Sequence, residues 1–84
     1  MYIIYGLNWC GFCAKAIKLL HKKTVQFSYY PLDEEPGILE YMKTCYNQET
    51  VPIIVYSTNG KETLIGGYDD LVKHFRQQED KSCN

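Results

Sequence analysis

Apolar positions change their spacing several times along the chain, and each change marks an element. Tyr2-Ile3-Ile4-Tyr5 is an unbroken apolar run, which predicts a central strand buried on both faces. From Cys13 onward the apolar residues fall at Cys13, Ala16, Ile17 and Leu20, one face of a helix, while Lys15, Lys18, Lys22 and Lys23 take the solvent side. Residues 25–32 are rich in β-branched and aromatic side chains and predict a second strand that ends near Pro31. Asp33-Glu34-Glu35-Pro36 signals a helix start, and Ile38, Leu39, Met42 and Cys45 supply the apolar face of that second helix. Ile53-Ile54-Val55-Tyr56 and Thr63-Leu64-Ile65 read as strands joined through Asn59-Gly60, a hairpin signal. After Gly66-Gly67, Asp69 is placed to cap a third helix that buries Leu71, Val72 and Phe75. The polar residues 77–84 are expected to form a frayed tail.

The resulting order is β-α-β-α-β-β-α over a single α/β domain, residues 1–84. Its first half is a right-handed parallel crossover; its second half is an antiparallel hairpin followed by a covering helix. Together they make a four-stranded mixed sheet flanked by three helices, the plan of a minimal thioredoxin fold. Composition narrows the function classes. With 45% hydrophobic residues, 23% charged residues and a formal net charge of −1, the chain has no basic excess to track nucleic acid. No apolar run approaches the roughly 18 residues of a membrane span. MYIIYGLNWC lacks the basic flank and cleavage site of a secretory leader. A monomer in the cytoplasm is the expectation, without nucleic-acid or membrane partners.

Of the four cysteines, Cys10, Cys13, Cys45 and Cys83, only the first two share a local spacing. A lone Cys-x-x-Cys where a strand passes into a helix reads as redox-active or metal-binding. Helix N-termini carry unsatisfied N–H groups and partial positive charge, so a sulfur at Cys10 is favoured as thiolate. Cys13 lies one turn further in, on the same face, at a separation that lets the two sulfurs bridge. Cys10 is then the attacking thiol and Cys13 the resolving one. The alternative is a zinc pair, which needs two more ligands. Cys45, Cys83, His21 and His74 show no second paired spacing, and both histidines are expected on the surface near helix C-termini. Cys45 is expected to pack and Cys83 to be an incidental thiol in the tail.

At this point the chain resembles the glutaredoxins over almost its whole length, through Cys10-Gly11-Phe12-Cys13, Thr50-Val51-Pro52 and Gly66-Gly67-Tyr68-Asp69-Asp70 in that order. The resemblance implies a glutathione-dependent thiol–disulfide oxidoreductase of the dithiol class, acting on protein–glutathione mixed disulfides and protein disulfides. Glutathione would be its reducing cosubstrate, and ribonucleotide reductase is a partner the family allows. By family position the Val51–Pro52 bond would be cis, leaving the Val51 backbone to pair with the cysteinyl backbone of glutathione. Backbone amides around Asp69 and Asp70 would receive the γ-glutamyl carboxylate, with the Asp70 side chain on its ammonium. Gln48 would reach the glycyl carboxylate, and Phe12, Thr50, Pro52, Gly67 and Tyr68 would line the pocket.

Departures from the family pattern are equally informative. Leu7 stands where Lys or Arg often precedes the nucleophile, and Glu49 where Arg is common. The helix terminus, or a lysine from elsewhere such as Lys15, is then expected to do that work. Trp9-Cys10-Gly11 is similar to the thioredoxin signature, which makes a thioredoxin-like disulfide reductant one alternative. Cys10-Gly11-Phe12 is similar to the monothiol glutaredoxins. Gly11 in place of the usual proline keeps a second alternative open, a dimer holding a [2Fe–2S] cluster through Cys10 and two glutathiones.

Overall fold

The computed structural model describes residues 1–8 and 10–82, with side chains described as far as Arg76. Seven elements follow in order: β1 (Tyr2–Gly6), α1 (Gly11–Lys22), β2 (Phe27–Pro31), α2 (Pro36–Cys45), β3 (Ile53–Thr58), β4 (Lys61–Gly66) and α3 (Tyr68–Ser82). They form one four-stranded sheet in the order β2-β1-β3-β4. β1 runs parallel to β2 and antiparallel to β3, and β3 pairs antiparallel with β4. The expected thioredoxin-like architecture is therefore present. The hairpin between β3 and β4 turns at Asn59 and Gly60, whose φ angles of 52° and 76° are those of a two-residue turn matched to strand twist.

One face of the sheet carries the main core. Tyr2 and Ile4 of β1 and Ile54 of β3 meet Ala16 and Leu20 of α1 and Leu71 and Phe75 of α3. Ala16, Leu20, Leu71 and Phe75 are buried as their helical spacing predicted, Ile17 and Val72 on the same faces are only half-buried, and Ile4, Ala16, Leu20, Ile54 and Leu71 are wholly inaccessible. Each of these isoleucines and leucines contributes about 1.5–3 kcal/mol through the apolar surface it removes from water. β1 is central, as expected, yet its faces are unequal: Tyr2, Ile4 and Gly6 are buried while Ile3 and Tyr5 are half-buried. The strand buried on both faces is β3, where Ile53, Ile54 and Val55 are all fully covered.

Three local expectations are corrected. Within α2 only Leu39 is buried; Ile38 is 47% exposed and Cys45 is exposed rather than packed. Apolar spacing identifies a helix face but does not say how much of the sheet lies beneath it. Asp69 does not cap α3, which already begins at Tyr68; the carboxylate of Asp70 instead accepts the Gly67 N–H at 3.0 Å. An acid at the third helical position reaching back to the amide before the helix is one half of a capping box. His74 lies inside α3, half-buried, with its Nε2 at 2.9 Å from the Tyr2 hydroxyl. Burial holds its pKa below the usual imidazole value. α3 itself spans Tyr68–Ser82. Trp9, Cys83 and Asn84, with the readings attached to them, lie outside the described residues.

Candidate active site

Leu7 and Asn8 lead from β1 toward the first turn of α1. The Cys10 N–H donates to the Leu7 carbonyl at 3.2 Å, and both oxygens of Asp33 accept the Asn8 N–H at 3.2 and 3.1 Å. Those bonds hold Cys10 at the N-cap of α1 with extended backbone (φ −84°, ψ 120°). Its carbonyl takes the Ala14 N–H at 3.2 Å, and its sulfur accepts the Cys13 N–H at 3.4 Å. A cysteine thus occupies the position and bonding role that Ser or Asp fills at other helix starts. Cys10 as a residue is half-buried, and its sulfur lies 4.0 Å from the Val51 carbonyl oxygen.

Cys13 is its opposite. It is 1% exposed, and a Cβ placed at Gly6 would come within 2.5 Å of its sulfur, so the glycine leaves the space that the thiol fills. Burial pushes the Cys13 thiol up to about 12; a hydrogen bond with the Leu7 backbone works against this, and the neighbouring Cys10 sulfur and Asp33 carboxylate add to it. Both cysteines are free thiols, and Cys13 keeps its proton throughout the physiological range.

Beside Cys10 runs a groove of about 620 Å³ lined by residues from three stretches of chain: Leu7 and Phe12, Lys43 with residues 48–52, and residues 67–70. Phe12, Gln48, Thr50, Val51, Pro52, Gly67, Tyr68, Asp69 and Asp70, the residues singled out from the sequence, all stand on its walls. The Val51–Pro52 peptide bond is cis. Gln48 does something the sequence did not suggest: its amide nitrogen donates to the carbonyls of Thr50 at 3.0 Å and Pro52 at 2.8 Å. Both amide hydrogens are spent on bracing this wall, so the side chain does not present them to a ligand carboxylate.

The opposite wall rests on the Gly66-Gly67 corner. Of the two glycines, Gly66 is the demanding one. Its φ is +123°, and any Cβ there would overlap the Asp70 carboxylate. The aromatic lip consists of Phe12, 54% exposed, and Tyr68, with ring centroids 6.3 Å apart. Lys15 does not reach the groove; its ammonium sits over the Phe12 ring, 5.0 Å from the centroid. Positive charge comes instead from Lys43 in the last turn of α2, a residue the sequence reading passed over. Its position one helical turn ahead of the Gln48 loop was the available signal. Among the described residues no three His, Cys, Asp or Glu side chains converge, so a metal or cluster at Cys10 would draw its other ligands from elsewhere. No helix among the described residues is long and apolar enough to cross a membrane.

Comparison with known proteins agrees with this geometry. The Glutaredoxin family profile matches residues 2–61. A glutaredoxin of Pseudomonas aeruginosa is 35% identical over 69 residues, which cover 82% of this chain and 77% of that protein. Among solved structures, the buckwheat glutaredoxin–glutathione complex superposes with a TM-score of 0.78 at 25% identity, covering 92% of this chain and 69% of that one. The glutaredoxin of Brucella melitensis gives 0.76 at 27% identity, covering 96% and 84%. A half-buried cysteine at a helix start, a second, fully buried cysteine behind it and a groove alongside fit these matches, and the chain belongs to the glutaredoxin family of thiol–disulfide oxidoreductases.

Proposed function

We propose that the protein reduces protein–glutathione mixed disulfides and protein disulfides at the expense of glutathione, with Cys10 as nucleophile and Cys13 as resolving thiol. The carrying observation is the asymmetry of the two thiols: Cys10 is accessible at the start of α1 beside the groove, and Cys13 is buried and protonated. The Cys10 thiolate attacks the glutathione sulfur of a mixed disulfide. The S–S bond breaks, the protein thiolate departs and takes up a proton, and Cys10 is left bound to glutathione. A second glutathione thiolate attacks that glutathione sulfur, releasing oxidised glutathione and regenerating the Cys10 thiolate.

With a protein disulfide, Cys10 first forms a mixed disulfide with the substrate. Cys13 then loses its proton, attacks Cys10 and expels the second substrate thiolate, leaving a Cys10–Cys13 bridge that two glutathiones reduce. Burial keeps Cys13 protonated in the reduced protein, so it does not compete with Cys10 for the first attack. Groove chemistry supports glutathione as the cosubstrate. Backbone amides at the start of α3 and the carboxylates of Asp69 and Asp70 suit an amino-acid headgroup, and Val51 lies within reach of Cys10 for pairing with a peptide backbone. The structural neighbour from buckwheat was solved with glutathione, which favours the same ligand here.

Glutathione-coupled reduction of a small mixed disulfide tests this reading. Cys10→Ser is expected to fall to background, and Cys13→Ser to retain deglutathionylation while losing protein-disulfide reduction. Substantial turnover by Cys10→Ser would overturn the assignment of the nucleophile.

A further inference from the structure

We propose that Lys43 determines which small thiol the groove accepts, by holding the carboxylate at the end of the ligand remote from its γ-glutamyl group; this rests on the reading that the groove takes glutathione. Among the described residues lining the groove, Glu49, Asp69 and Asp70 are acids and Lys43 is the one cation. Glutathione carries two carboxylates and one ammonium. Its ammonium and one carboxylate match the start of α3, where amides and acids stand together. The other carboxylate then falls toward the α2 end of the groove, where Glu49 would repel it and Lys43, the one cation among the described lining residues, would neutralise it.

Local bonding ties Lys43 to the site. The Gln48 N–H donates to the Lys43 carbonyl at 2.9 Å, and the Gln48 side chain holds the Thr50 and Pro52 carbonyls of the groove wall. A shift of the lysine backbone is therefore a shift of the wall beside Cys10. The Lys43 ammonium is 3.6 Å from Glu40, whose side chain is 73% exposed. So solvated a pair is weak, and the ammonium can exchange Glu40 for a ligand carboxylate at little cost. A purely structural role, a last-turn lysine favoured by the helix dipole, would be indifferent to the ligand's charge.

That difference defines the experiment: kcat/KM measured with glutathione and with its glycyl ethyl ester, in which the remote carboxylate is masked. The wild-type protein should prefer the free acid by roughly tenfold, the effect of one charge-assisted hydrogen bond at a half-exposed site. Lys43→Gln should bring the ratio of the two thiols toward one, Lys43→Arg should keep most of it, and Glu49→Gln should raise it. A Lys43→Gln protein with the wild-type ratio, or equal losses on both thiols, would overturn the proposal while leaving glutathione as cosubstrate. A wild-type ratio of one would do the same. Absence of wild-type turnover with either thiol would overturn the glutathione reading and this proposal with it.

Discussion

Cys10 and Cys13 are three residues apart and chemically unlike. The spacing was legible in the sequence, and so was the difference in exposure, because a helix start exposes its first residue and buries the one a turn later. The depth of Cys13's burial was not legible, since it depends on Gly6 of β1 leaving room for the sulfur. Burial has a measurable consequence. An unfolded Cys13 ionises near 9 and the folded thiol near 12, so the unfolded state loses its proton first as pH rises. This contribution to stability is complete below about pH 9 and is lost progressively toward 12, with a slope of at most about 1.4 kcal/mol per pH unit. Denaturant titrations of the reduced protein between pH 8 and roughly 11 should show wild type losing stability faster than Cys13→Ala. Parallel curves would show that the thiol is not buried as described.

At the scale of elements, periodicity located every strand and helix and erred where burial depends on neighbours. The stripe Cys13, Ala16, Leu20 in α1 is buried, because α1 lies on the face of the sheet that also receives α3. In α2 the same kind of stripe proved misleading, since only Leu39 is covered. His74 and Asp69 were misjudged because their surroundings decide: the Tyr2 hydroxyl lies against His74, and Asp70 rather than Asp69 takes the Gly67 amide. Truncation separates the two helices. Leu20→Ala should cost about 2–5 kcal/mol, a cavity in a closed core. Ile38→Ala should change stability by no more than about 0.5 kcal/mol. Chemical denaturation of both variants checks this, and a larger loss at Ile38 would mean that α2 is packed more deeply than its exposure indicates.

Across the whole molecule, the sheet brings together three stretches far apart in the chain: the thiol pair before and in α1, the Gln48–Pro52 wall ahead of β3, and the Gly67–Asp70 corner between β4 and α3. Each stretch was recognisable from its own residues, and the family resemblance placed them around one ligand. The charge balance of the finished groove was hidden, because Lys43 enters it from the last turn of a helix that otherwise barely touches the core. The central claim is that Cys10 is the nucleophile and Cys13 the resolving thiol. Peptide mass spectrometry of Cys13→Ser after exposure to one equivalent of oxidised glutathione tests this most directly. One glutathionyl group on the peptide containing Cys10, replaced in the wild-type protein by a Cys10–Cys13 bridge, is the predicted result; an adduct confined to Cys45, or none at Cys10, would contradict it.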